Sequence, residues 1–163
     1  MLLNQCDAGP ETIVPDTLNV FRGIQIGGTF ADALESDDSR LIFNPGFILN
    51  STEAPVWLIF DGALSSDSPS SLEIAVESQA GTLGLTGTLE AFNWNSTTYE
   101  VVDTSAESFN TDTVVSVDLS SGISNYVQAG SGAVRSRIGW RQTGFTINFP
   151  WEVRLDQMVW TVD

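Results

Sequence analysis

Histidine and lysine are absent from this chain of 163 residues, and cysteine occurs once. Each absence removes a class of chemistry. Without an imidazole, no side chain titrates unperturbed near neutral pH, and a Ser-His-Asp triad, a Cys-His pair and a His-ligated metal centre cannot be built. Without lysine there is no Schiff base and no phosphate-loop amine. The lone Cys6 excludes an intramolecular disulfide and is read as a bystander in a loose terminal segment. No apolar run approaches a membrane span, so no membrane insertion is expected. Met1-Leu2-Leu3 is too short for a signal peptide, which places any export signal outside this chain.

Positive charge is equally scarce. The six basic residues are all arginines, Arg22, Arg40, Arg135, Arg137, Arg141 and Arg154, against twenty-one Asp and Glu and a formal net charge of −15. Such a balance repels phosphate backbones and anionic lipid, so nucleic acid is not an expected partner. Hydrophobic content of 42% with five Trp and nine Phe nevertheless supports a folded core. Charged residues make up only 17%, which leaves Ser, Thr, Asn, Gln and Gly to cover the surface, a profile of secreted or cell-surface β-proteins.

Apolar residues alternate or run in short bursts between Gly, Ser, Asp, Asn and Pro, the pattern of many short strands. Strands are predicted at 17–22, 25–34, 40–44, 56–64, 72–78, 86–94, 99–103, 113–119, 133–141 and 151–162. Val56-Trp57-Leu58-Ile59-Phe60 is apolar on both faces and reads as a central strand covered on each side. Val134, Ser136, Ile138 and Trp140 alternate with Arg135, Arg137 and Arg141. Near the C-terminus, Val153, Leu155, Gln157 and Val159 alternate with Arg154, Asp156, Met158 and Trp160. Ser120–Gln128 is the one helical turn expected, capped by Ser120 or Ser121. The chain therefore reads as a flexible segment, 1–12, followed by a single all-β domain, 13–163. About ten short strands point to a two-sheet antiparallel β-sandwich or jelly roll.

Three constellations carry candidate chemistry. Arg135, Arg137 and Arg141 share one strand face and can donate forked hydrogen bonds to a ligand, or be balanced by cross-strand acids such as Glu152 and Asp156. Balance is the favoured reading. Among the aromatics Trp94, Trp140, Trp151, Trp160, Tyr99, Phe145 and Phe149, Trp140 reads as core, while Trp94 and Trp151 are the candidates for exposed stacking platforms. In the acidic turn Glu35–Arg40, Asp37 and Asp38 are candidate ligands of a structural calcium; no other cofactor is expected. Acids are abundant, but no pair of them stands out as a hydrolase centre, so no enzyme is expected. Asn50-Ser51-Thr52 and Asn95-Ser96-Thr97 are glycosylation sequons.

The closing segments TVVSVDLSSGISNYV (113–127), AVRSRIGWRQTG (133–144) and WEVRLDQMVW (151–160) resemble the last strands of galactose-binding-like jelly-roll domains. Those domains often end in a strand carrying an Asp followed by apolar residues, here Asp156. The segment NVFRGIQIGGTFADALESDDSRLIF (19–43) is similar to the opening of β-sandwich units in secreted multidomain bacterial proteins. The resemblance implies a non-catalytic module that binds carbohydrate or surface glycan within a larger secreted protein, with a structural calcium common in the class. The alternative is a structural or adhesive subunit that meets protein partners in a surface layer, filament or matrix.

Overall fold

In the computed structural model, residues 9–144 and 150–163 are described. Cys6, Phe145 and Phe149 lie outside them. Eleven strands follow one another as β1 (Glu11–Ile13), β2 (Thr17–Arg22), β3 (Ile24–Gly27), β4 (Leu41–Asn44), β5 (Val56–Ala63) and β6 (Leu72–Ala80). They continue with β7 (Leu85–Asn93), β8 (Thr98–Ala106), β9 (Thr113–Asp118), β10 (Ala133–Gln142) and β11 (Val153–Val162). A 3-10 turn at Phe30–Ala33 and a one-turn helix α1 at Ile123–Tyr126 complete the set. The helical turn falls inside the expected segment, but its N-cap is Gly122 with no side-chain cap. Ser120 instead accepts a hydrogen bond from the Leu72 N–H through its Oγ. Residues 11 and 12, read from sequence as part of a flexible end, pair with β11.

The strands form two antiparallel sheets. One has the order β3-β4-β11-β6-β9, with β1 also on β11, and the other runs β2-β5-β10-β7-β8. Their facing sides build the core. Phe60 and Leu58 of β5, Val134, Ile138 and Trp140 of β10, and Leu85 and Leu89 of β7 meet Leu72, Ile74 and Val76 of β6 and Val153, Leu155, Met158 and Trp160 of β11. Burial of this apolar surface is the main driving force for closing the sandwich. Gly62 is required here: a Cβ would stand 2.8 Å from the Trp160 ring, so its absence lets the ring of β11 pack onto β5.

Strand β11 departs from simple alternation. Its register against β6 shifts between Leu155 and Gln157, leaving Asp156 as the extra residue of a bulge. Beyond the bulge the inward set flips, so Met158, Trp160 and Val162 are buried. The unbroken alternation read from sequence, with Met158 and Trp160 facing away from Val153 and Leu155, is corrected accordingly.

Candidate functional site

Two-residue periodicity places the outward residues of the five-stranded sheet side by side. Arg135 of β10 stands opposite Asp61 of β5, and Arg137 stands opposite Ile59 on one side and Glu90 of β7 on the other. Gly139 is opposite Trp57 and Thr88. On the far side of β7, Glu90 and Phe92 are paired with Val101 and Tyr99 of β8. The result is an open sheet face carrying aromatics, arginines and acids together.

Arg137 is the centre of this face. Its Nε and Nη2 donate to the two carboxylate oxygens of Glu90 at 2.5 and 2.9 Å. Its Cζ lies 4.2 Å from the Trp57 ring centroid and 3.8 Å from that of Tyr99. A guanidinium held in a two-point ion pair and between two rings is fixed in orientation. Arg135 donates from Nε to Asp61 at 2.5 Å and sits over Phe92 and Trp94, with Cζ 5.4 and 5.8 Å from their centroids. The bond to Asp61 pushes the Arg135 guanidinium up from its ordinary value. Burial pushes the Tyr99 phenol up, against the opposing pull of Arg135 and Arg137.

Trp94 is half-buried at the end of the same strip. Its ring meets Phe92 edge-on at 4.9 Å, and its Nε1 donates to the Tyr126 carbonyl at 3.1 Å. At the opposite end, Phe21 meets Trp57 edge-on at 5.8 Å, and Arg22 lies over both rings while pairing with Glu53 at 2.9 Å. Between Trp57 and Arg141 a cleft of about 200 Å³ opens over Gly139, walled also by Thr52, Ala54, Thr88 and Glu90. The missing side chain makes it, since a Cβ on Gly139 would stand 2.8 Å from the Ala54 Cβ and 3.3 Å from the Trp57 Nε1. A larger hollow of about 580 Å³ adjoins it, bounded by Arg141, Ile48, Pro55 and Trp151 among others.

The residues singled out by sequence are thus partly gathered. Arg135, Arg137, Arg141 and Trp94 lie along one face, as strand periodicity requires. Trp151 does not join them: it is 2% exposed. Two residues before Val153, it shares the inward side of that chain segment, and this corrects the expectation of a stacking platform. The balancing acids also differ from expectation. Glu152 and Asp156 belong to the other sheet or its approach, where Glu152 pairs with Arg154, and Arg135 and Arg137 of β10 are met by Asp61 and Glu90. Trp57, read from sequence as part of a central strand covered on each side, was not among the candidate site residues. The signal was present in the two-sided apolar pattern of β5, whose outer side is lined by Phe21, Arg22 and Arg137 instead of a further layer.

Asp37 and Asp38 occupy an exposed turn elsewhere. Asp37 Oδ1 accepts the Ser39 N–H at 2.9 Å, and Asp38 Oδ1 accepts Arg40 Nη2 at 2.6 Å. The same Arg40 nitrogen reaches Asp112 at 3.0 Å. Among the described residues no three metal-ligating side chains converge. The Arg40 guanidinium thus bridges Asp38 and Asp112, while Asp37 is engaged by the Ser39 backbone. Nearby, the Asp156 of the bulge is buried, and burial first and the charge of Glu77 second push its carboxyl above the usual range.

A second buried acid, Glu107, joins the two sheets from within. It accepts hydrogen bonds from Trp140 Nε1 at 2.8 Å and from Ser78 Oγ at 3.0 and 3.1 Å. Burial pushes it up, and those bonds only partly offset the shift. Among the described residues, Glu107 and Asp156 are the two buried carboxyls displaced upward, and neither lies on the open face.

No protein-family model matches the chain, and no curated sequence does. Solved structures match its fold over nearly the whole length. The xylan-binding module CBM15 aligns with a TM-score of 0.54 and 13% identity, covering 94% of this chain and 97% of that one. A family 29 carbohydrate-binding module from Piromyces equi aligns at 0.50 and 12%, covering 95% and 92%. The CBM22-1 and GH10 modules of Clostridium thermocellum endo-1,4-beta-D-xylanase 10B, solved with xylohexaose, align at 0.50 and 13%. There the chain covers 94% of itself but 26% of the longer protein. The fold is therefore a two-sheet antiparallel jelly-roll sandwich, as expected from the closing segments, and these carbohydrate-binding modules share it.

Proposed function

We propose that the protein is a non-catalytic carbohydrate-binding module whose saccharide lies across the outer face of the five-stranded sheet. One observation carries this reading. The fixed Arg137 guanidinium between Trp57 and Tyr99 makes a continuous strip of ring faces and polar groups at the surface. A pyranose presents apolar C–H faces and a rim of hydroxyls, and a strip of this kind meets both. Trp57 and Trp94 supply stacking, Arg135 and Arg137 donate to hydroxyls from positions their acid partners hold still, and Arg141 adds a third guanidinium at the end of the strip. Pre-ordered side chains lose little freedom on binding, which favours affinity from a small surface. The fold shared with carbohydrate-binding modules raises the weight of the reading without supplying its ligand. A module of this kind works on extracellular or cell-surface glycan, and the lysine-free polar composition accords with that setting.

Affinity electrophoresis through gels containing soluble neutral β-glycans (xylan, glucomannan, mixed-linkage glucan) tests it. At least one polymer is expected to retard the protein, and Trp57→Ala to weaken that retardation by tenfold or more while near-ultraviolet circular dichroism stays native. Unretarded migration in every gel would overturn the reading.

A second reading, a subunit of a surface assembly, draws on the exposed side chains Ile24 and Ile26 of the edge strand β3 and on Phe47 and Leu49. Sedimentation of a strict monomer across the concentration range would dismiss it.

A further inference from the structure

The cleft over Gly139 differs in charge from the rest of the face. Of the three arginines of β10, Arg135 and Arg137 are each paired with an acid. Arg141 forms no ion pair with any described carboxylate, and its Nη1 makes only a long contact of 3.4 Å to the Thr52 carbonyl. It borders both the smaller cleft and the larger hollow beside it. In a chain of net charge −15, an unpaired guanidinium at a cleft is the exception. A second donor stands in the same wall: the Trp57 Nε1 is buried without an acceptor. The remaining charged group of the cleft, Glu90, is already committed at both oxygens to Arg137. The cleft therefore offers unmet donors and one unneutralised positive charge, and what it lacks is an anionic acceptor.

We propose that this cleft binds the carboxylate of a uronic acid unit carried by the saccharide, an assignment that rests on the carbohydrate reading above. The planar carboxylate matches the guanidinium fork of Arg141, and a hydroxyl or ring oxygen of the same unit lies within reach of the Trp57 N–H. The volume of about 200 Å³ suits a single sugar ring. The overall acidity decides what kind of uronate-bearing glycan fits. A polyuronate would meet repulsion along its length, whereas screening over ~8 Å at physiological salt hides distant acids from an isolated carboxylate. The ligand is accordingly a neutral chain with scattered uronic acid substituents.

Nitrogen-15 spectra of the whole protein titrated with methyl β-glucuronoside and, separately, methyl β-glucoside test the assignment. The glucuronoside is expected to move the Trp57 indole and Arg141 Nε–H signals and to bind about tenfold or more tightly than the glucoside, a difference of ~1.4 kcal/mol. Arg141→Gln is expected to bring the glucuronoside down to the glucoside level, and Arg141→Lys to keep part of the preference. Equal binding of the two glycosides, no shift with either, or an equal loss for both in Arg141→Gln would overturn it. If neutral polysaccharides still retard the protein while this test fails, the uronate assignment alone falls. If retardation is absent as well, the carbohydrate reading falls with it.

Discussion

The two faces of the five-stranded sheet are made from the same five strands and differ in almost everything else. The inner face is mainly aliphatic with Trp140 as its one tryptophan, and its polar atoms are paired within the interior: Ser136 Oγ accepts from Trp160 Nε1 of the facing strand β11, and Trp140 Nε1 donates to Glu107. The outer face sets aromatic rings beside arginines, leaves Arg141 without a described acid and leaves Trp57 Nε1 without an acceptor. An interior satisfies its polar groups because orphaned ones cost free energy. A face that leaves donors unmet while fixing its rings in place is built to be completed by something else.

Substitutions should separate the two faces by what they disturb. The largest expected stability loss is Trp160→Ala on the facing strand, ~3–5 kcal/mol, because the ring fills the space above Gly62 and its cavity cannot collapse. Urea unfolding measures it, and a loss no greater than that of an outer-face substitution would break the contrast. Glu107 gives a pH-dependent effect of intermediate size. Its carboxyl is raised in the folded state, so its contribution to stability is fullest below the unfolded value of 4.5 and is lost as pH rises through the folded value. Glu107→Gln, which keeps an acceptor for Trp140, should match or exceed the native protein in stability at pH 7, with that gain shrinking at pH 4. A loss of stability that is the same at both pH values would show the buried acid is not titrating upward. The smallest effect is expected from Arg135→Ala. Its pair with Asp61 is about a third exposed on both sides, so unfolding should shift by ~0–1 kcal/mol while saccharide retardation weakens.

Much of this organisation was legible from residue order. The alternation of Val134, Ser136, Ile138 and Trp140 against Arg135, Arg137 and Arg141 placed both faces of β10 correctly, because a strand without a bulge keeps its period of two. The same rule misread β11, where one inserted residue, Asp156, reverses the pattern for Met158 and Trp160. The acids that meet the arginines were sought at Glu152 and Asp156, on β11 and its approach and close in sequence, but pairing is decided by sheet order, and β11 lies in the other sheet. Asp61 and Glu90 are 74 and 47 residues from their partners, separations that local pattern does not encode. Trp57 was hidden for a related reason. A two-sided apolar strand looks the same whether its second face is covered by another layer or by Phe21, Arg22 and Arg137.

Five tryptophans give five indole resonances, and the contrast between the faces assigns each an expected response. Titration of the native protein with the saccharide that retards it should shift the signals of Trp57 and Trp94 and leave those of Trp140, Trp151 and Trp160 in place. Shifts confined to the three buried rings, or an unchanged Trp57 at saturating saccharide, would contradict binding on the outer face of the five-stranded sheet.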